Sequence, residues 1–447
     1  MEFTQSGSRH QLKAFVMVGL ASLFYLYMYV LRVVPTIITH DLRLAFNLDS
    51  SSLGQLIACF FLGYAPMQIF AGLLCDRYGP RACMSVCIVT CSIAALIFQS
   101  THSFYIACLA RVIIGIAASC SFIAPLTLAS RWYAPEKQAT ITGIVQLIGC
   151  AGAILSQNPQ LTILIQSHGW RSVIFCLSLI GMIIGLFYVL FIQDTPENAS
   201  SLSVPTGSHQ HSTLERLRNI LLNSKNWAVG FCSFGIWAPI AVFAEYLGIE
   251  YLVELQQISS QEASQQMFWL WIAMAISSPI SGWISNLIKN RKKPLFILLL
   301  SGLVAFTVLL AFPPKESPFL ISLLLFIIGL SSSGQAVTFG FIHDNNEASV
   351  ISTAIAFNNM VLVLSAGILQ PIVGYIIKTL QSNGGITALA TYQYAFSLAP
   401  ICSAMAIIVL QFALAETYCQ KQSPQSNMPD SKEKLANVSE PLYSDTI

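Results

Sequence analysis

The chain predicts an all-α polytopic membrane protein, with twelve transmembrane helices arranged as two six-helix bundles. Three observations lead there. Of its 447 residues, 55% are hydrophobic and 9% charged, and the mean hydropathy is +0.67, whereas soluble domains carry about 25% charged residues. The apolar runs are long and unbroken, matching the ~20 residues a bilayer-crossing helix needs rather than the ~10-residue alternating strands of a barrel. Lys and Arg also alternate in abundance between successive loops, as the positive-inside rule requires. This composition excludes a soluble enzyme. With 26 Gly, 19 Pro and 12 Cys it is not collagenous, disordered or a disulfide scaffold, and a net charge of +2 offers no basic field for nucleic acid.

Twelve apolar runs follow in order: 14–38, 53–74, 82–99, 104–129, 140–163, 173–192, 227–252, 267–288, 295–312, 318–342, 352–378 and 392–415. The first is too long for a signal-peptide core and is expected to remain as a span. Sixteen of the 22 Lys and Arg fall in the loops and tails of one side, four on the other (Arg43, Arg171, Lys315, Lys378), and Arg32 and Arg111 lie within spans. Both termini are therefore expected in the cytoplasm, with the protein in the cell (inner) membrane.

The organisation is an N-tail (1–13), an N-terminal bundle (14–192), a central cytoplasmic loop (193–226), a C-terminal bundle (227–415) and a polar, disordered tail (416–447). Within the loop, His211 to Asn223 has the spacing of a short amphipathic helix lying on the inner leaflet. Asn198 and Asn437 match the glycosylation pattern but fall on the cytoplasmic side. Cys83, Cys87 and Cys91 share one helix face; without a histidine beside them they are expected to be small packing residues rather than a soft-metal stripe.

The loop after the second run reads Gly72-Leu73-Leu74-Cys75-Asp76-Arg77-Tyr78-Gly79-Pro80-Arg81. It fixes an acid and two bases at the membrane surface behind a tight helix end. This resembles the major facilitator superfamily, whose signature between spans two and three is G-x-L-x-D-R-x-G-x-R/K, matched at every fixed position. A fainter copy follows 210 residues later, from Gly282 to Arg291, with Asn286 in place of the acid. Such a repeat implies two bundles related by an axis along the membrane normal. Span four carries Arg111-Val-Ile-Ile114-Gly115, similar to the family's R-x-x-Q-G with Ile114 replacing Gln. Arg131 to Lys137 and Gly169-Trp170-Arg171 resemble the segments after span four and before span six. The likeness covers residues 14–415.

The resemblance implies a secondary transporter working by alternating access, with a small-molecule substrate, the lipid bilayer around it, no cofactor and no metal, and a monomeric state. It also implies a gating role for Gly72, Asp76, Arg77, Gly79, Arg81 and Arg131, with Asp76 near Arg131 and the start of span eleven around Ser349 to Ser352. Gly143 to Ala153 lacks the proline and the terminal glycine pair of the drug/proton antiporter motif. Efflux of drugs or siderophores is thereby disfavoured, and remains the rival within transport. A non-transporting membrane receptor or sensor is the rival from another class; its mark would be a large soluble signalling domain.

The substrate site is sought among ionisable residues in hydrocarbon, which are costly there and face the bundle interior. Arg32 in span one shares a face with Tyr25 and Tyr29; Glu245 in span seven shares one with Trp237, Ala241 and Gly248. Spans one and seven correspond under the repeat, so both charges are expected in one central cavity. An arginine offers a planar fork for carboxylate or phosphate, and a glutamate takes an ammonium or a proton. Glu245 and Arg111 are thus the candidates for proton coupling, with Asn358 and Asn359 of span eleven as further substrate-site candidates. The alternatives are that Arg32 snorkels or caps carbonyls, that Glu245 and Arg111 are structural, and that the asparagines only join helices. His343 and Asp344 are read as gate or surface residues. Arg32 is similar to the cavity arginine of organophosphate antiporters and related organic-anion carriers. The tyrosines and Tyr64-Ala-Pro66-Met-Gln68 resemble nutrient carriers akin to lysosomal dipeptide carriers. The expected solute is accordingly a small anion or zwitterion: an amino acid, peptide, organic acid or organophosphate.

Overall fold

A computed structural model describes residues 2–133, 138–195, 213–346, 350–383 and 387–420. The described residues are helical throughout, with no strand among them. Among the described residues eleven helices are long and apolar enough to cross a bilayer. They are span one (Gln11–Thr36), two (Ser50–Cys75), three (Pro80–Ser100), four (Phe104–Ala129), six (Trp170–Phe191), seven (Ser224–Gln256), eight (Ser260–Leu287), nine (Lys292–Ala311), ten (Pro318–Asn345), eleven (Thr353–Ser382) and twelve (Ala388–Ala413). Span five is the shorter helix Gln138–Ser156. The apolar run expected through residue 163 breaks because Asn158 caps a new helix with Pro159 in its first turn, Pro159–His168.

Local chemistry sets the boundaries. Asn158 accepts from Gln160 N, and Asp49 caps span two by accepting from Ser52 N at 2.7 Å. Ser259 and Glu262 form a capping box at span eight. Gly79, at φ +83°, ends span two and opens span three without a β-carbon penalty. Spans four and ten break at matching points, Ser119 and Ser333, where each carbonyl ladder loosens for one residue. That shared break, 214 residues apart, is the sequence repeat expressed as backbone. Span seven is the most enclosed, 78% buried, against 33% for spans six and twelve, which face outward to lipid.

Spans one to six and seven to twelve form the two bundles, and they meet along span two against span eleven, span one against span seven, and span five against span eight. The approach is close because it is lined by small residues: a β-carbon on Gly54 would come within 2.6 Å of the Gln370 carbonyl. On the face opposite the basic loops, polar contacts tie bundle to bundle. Arg43 pairs with Glu250 (3.2 Å), Lys378 with Asp49 (2.8 Å), and the Tyr246 hydroxyl donates to Ser50 O (2.8 Å). At the basic loops themselves the described ties stay within a bundle, Arg81 N donating to Asp194 Oδ1, Trp132 Nε1 to Gln193 O and Arg291 Nε to Asp344 Oδ2, and among the described residues the bundles are bridged only deeper in that half, by Asn359 and Gln68. The structure is closed on the face opposite the basic loops.

Two sequence expectations change here. Residues 416–420 are held, not free: Glu416 accepts from Arg291 N and Lys292 N at the start of span nine, and Thr417 donates to Asp344. Asp344 is accordingly buried rather than a surface residue. The amphipathic segment forms the helix Thr213–Leu222; Asn198, Asn437 and residues 421–447 lie outside the described residues.

Candidate functional site

Span one is α-helical to Val33 and then tightens to a 3-10 turn, Val34–Thr36, around Pro35. Arg32 therefore occupies the last α-helical turn. Its partner span deviates at the same level. Span seven runs α-helical from Ser224 to Pro239, becomes a π-helix over Ile240–Leu247, and resumes at Gly248. Pro239 lacks an N–H and its ring excludes the carbonyl four residues back, and that carbonyl, Gly235 O, accepts instead from the Ser403 hydroxyl of span twelve. The π-turn corrects the sequence expectation for Glu245's face: α-helical spacing through Ala241 and Gly248 does not apply where one residue more fills the turn.

The two charges meet. Arg32 Nη2 lies 2.6 Å from Glu245 Oε1, with the side chains 3% and 0% exposed. The guanidinium carbon sits over three rings, Phe61 (4.9 Å), Tyr29 (5.3 Å) and Trp237 (5.6 Å). Desolvated cation–π contacts stabilise such a charge by about 2 kcal/mol. Yet the pair is close without being aligned: Arg32 Nε and Nη2 and both Glu245 oxygens lack a hydrogen-bond partner of good geometry. An ion pair removed from water repays several kcal/mol of desolvation per ion only when its remaining donors and acceptors are satisfied. This one carries spare valence.

Tyr25 and Tyr29 flank it. Their rings are 5.1 Å apart, Tyr29 meets Trp271 of span eight edge-on, and the Tyr25 hydroxyl donates to Gln146 Oε1. Arg111 is fully enclosed in span four. It donates through Nη1 to Leu31 O, one residue before Arg32, and stacks on Phe60, while its Nε and Nη2 have no aligned partner. Asn359 reaches across the bundles to Gln68 Oε1 (3.0 Å). Asn358 bonds Ser233 (2.8 Å) and Thr338 (3.3 Å) inside the C-terminal bundle, away from the charges.

Of the signature loop, Gly72 is half-buried, Arg77 and Arg81 are exposed, and Arg131 is half-buried at the end of span four. The side chain of Asp76, Ser349 and the side chain of Ser352 lie outside the described residues. Of the buried amides Gln68, Gln157 and Gln370, sequence reasoning noted Gln370-Pro371 as polar groups of span eleven and Gln68 within a resembling segment, and passed over Gln157. Gln68 and Gln370 are lone polar residues in apolar runs, whereas Gln157 sits in the polar cluster Ser156-Gln157-Asn158, which carries no such signal.

A family profile described as the Major Facilitator Superfamily matches residues 16–371. The chain is similar to a probable sulfoacetate transporter of Cupriavidus necator, 22% identical over 62% of this chain and 66% of that one, just under two thirds of its length. It is also similar to a hexuronate transporter of Bacillus subtilis, 22% identical over 77% of this chain and 83% of that one. In structure it resembles a bacterial homolog of the human lysosomal transporter Spinster in an inward-facing, occupied conformation, with a TM-score of 0.71 and 16% identity over 89% and 96% of the two chains. That likeness concerns the fold.

Proposed function

The chain belongs to the Major Facilitator Superfamily, and from that premise we propose that it carries a small organic anion across the bilayer, with Arg32 binding the anionic group and Glu245 as its internal competitor. The observation that supports this is the enclosed Arg32–Glu245 contact joining the two bundles, with donors left over on the guanidinium. Around it the buried charge is unbalanced. Among the described residues two arginines, Arg32 and Arg111, are buried in the N-terminal bundle against one carboxylate left to balance them, Glu245, because the other buried acid, Asp344, is engaged by Arg291. Excess positive charge in low dielectric favours an anion. The relatives named above fit this reading, since sulfoacetate and hexuronates are both organic anions.

The mechanism follows from the valence. A carboxylate or sulfonate entering the site takes the bidentate fork of Arg32. Glu245 then loses its counter-charge, and a buried, unpaired carboxylate takes up a proton. Anion and proton thus load together, and release of one restores the ion pair that favours release of the other. We place the basic loops and both termini in the cytoplasm, so the structure is the state closed to the outside.

The test is a thermal-shift screen of the purified protein against sulfoacetate, galacturonate, dicarboxylates, amino acids, dipeptides and neutral sugars. A ligand stabilises in proportion to the logarithm of its excess over Kd. Stabilisation by organic anions in the wild type, absent in Arg32→Ala, is the expected result. Stabilisation by neutral sugars, equal in both proteins, would overturn the reading.

A further inference from the structure

Gln157 is completely buried where span five breaks, and every polar atom of its amide is engaged. Nε2 donates to Ala244 O (2.9 Å) and to Thr36 Oγ1 (3.1 Å), while Oε1 accepts from Trp271 Nε1 (2.6 Å). A carbonyl can only accept and an indole N–H can only donate, so these partners define the amide's orientation. One side chain of the N-terminal bundle thereby reaches span one, span seven and span eight. Its span-seven partner is the carbonyl immediately before Glu245, within the π-turn. Gln370 holds the same turn from span eleven, donating to Ala241 O and Glu245 O.

A π-turn is a register device. It inserts one residue relative to an α-helix, and one residue corresponds to about 100° of rotation and 1.5 Å of rise. If the turn reverted to α-helix, residues on either side could not keep their facings together. Glu245 would swing away from Arg32 while Trp237 stayed. The π-form leaves carbonyls poorly served within the helix, and buried carbonyls without partners are costly. Glutamines on two sides supply the missing donors. Of these, only Gln157 comes from the opposite bundle, so only its bond depends on how the bundles are docked.

We propose that Gln157 is a positioning residue that couples bundle docking to the charge pair: while the bundles are closed on the face opposite the basic loops, it holds span seven in the π register that delivers Glu245 to Arg32. When the bundles separate on that face, the bond to Ala244 is lost and the turn relaxes, freeing Arg32 for substrate. This deepens the transport reading by naming what moves Glu245, and it requires no particular substrate.

The test is hydrogen–deuterium exchange of the full chain in lipid nanodiscs, with no ligand added. Gln157→Leu keeps the volume and removes all three bonds. The expected result is exchange at least tenfold faster in peptides covering 240–248, with spans nine and twelve unchanged. In a Glu245→Gln background, where the bond to Ala244 O is intact, Gln157→Leu gives the same increase. Wild-type exchange in Gln157→Leu overturns the proposal, and so does loss of the increase in the Glu245→Gln background, which would put the ion pair rather than Gln157 in control of the turn. Should Gln157→Leu loosen spans nine and twelve too, Trp271→Phe decides. It removes the bond that orients the amide while leaving Gln157 in place, and a rise confined to 240–248 is expected, whereas a flat response overturns the proposal. Because no substrate is used, failure of the organic-anion screen leaves this result standing, and a flat exchange profile leaves that screen standing.

Discussion

A guanidinium and a carboxylate buried together, 2.6 Å apart, are a poor way to hold two bundles together. Hydrophobic residues of the same volume generally do as well or better, whereas removing one partner costs about 3–5 kcal/mol. The account therefore predicts that Glu245→Ala destabilises the protein by several kcal/mol, while Arg32→Met combined with Glu245→Leu melts within about 1 kcal/mol of wild type or above it. Chemical denaturation in detergent measures this; a double variant as unstable as the single one would make the pair structural. For binding, charge-assisted hydrogen bonds contribute about 1.5–3 kcal/mol each. Arg32→Ala is expected to weaken the anion about ten- to a hundredfold, and Arg32→Lys to restore little, since an ammonium cannot present a bidentate fork. Isothermal titration checks both. That Arg32 and Glu245 are buried inside the bundles was legible from their cost in hydrocarbon. Their direct contact was not, because it depends on the π-turn, and only Pro239 hinted that span seven departs from α-helical spacing.

At the scale of elements, the opposite-face closure rests on packing more than charge. Asp49 is held down to about 2, chiefly by the hydrogen bond from Lys378 and then by Ser52 N. A carboxylate whose folded value is depressed contributes its stability above the unfolded value, ~3.9, and loses it as pH falls through about 2. The latch is therefore fully formed from pH 5 to 8. Both partners are exposed by 40% or more, so Lys378→Met is expected to cost less than about 1 kcal/mol. Gly54 is different, because its missing β-carbon lets span two lie on the Gln370 carbonyl. Gly54→Val is expected to hold the bundles apart on this face, raising the alkylation rate of a cysteine placed at Ser50, buried in wild type, by tenfold or more. An unchanged rate would remove span two from the gate. The helices themselves were readable from hydropathy to within a few residues. The split of span five was missed because Asn158-Pro159 lies inside an apolar run, where periodicity outvotes capping chemistry. Residues 416–420 were missed because a carboxylate binding the first N–H groups of a distant helix leaves no local pattern.

Over the whole molecule, the signature motif repeated after spans two and eight and the paired breaks at Ser119 and Ser333 mark two like bundles. The signature loop resembles a catch for the opposite state, so Asp76→Asn is expected to lower transport sharply at equal expression while leaving ligand binding in place; proteoliposome uptake beside a thermal shift separates the two. Which solute is carried was not legible, since two arginines and one glutamate define a charge rather than a molecule. At the centre of the proposed mechanism an anion at Arg32 and a proton at Glu245 load together. The most direct measurement of this compares, in proteoliposomes, uptake of the stabilising organic anion driven by a pH gradient with exchange of the same labelled anion across the membrane at equal pH, in wild type and Glu245→Gln. Net coupled flux needs a proton carrier, and swapping two bound substrates does not. The account predicts that Glu245→Gln loses the gradient-driven uptake and keeps the exchange. Gradient-driven uptake at the wild-type rate in Glu245→Gln would contradict it.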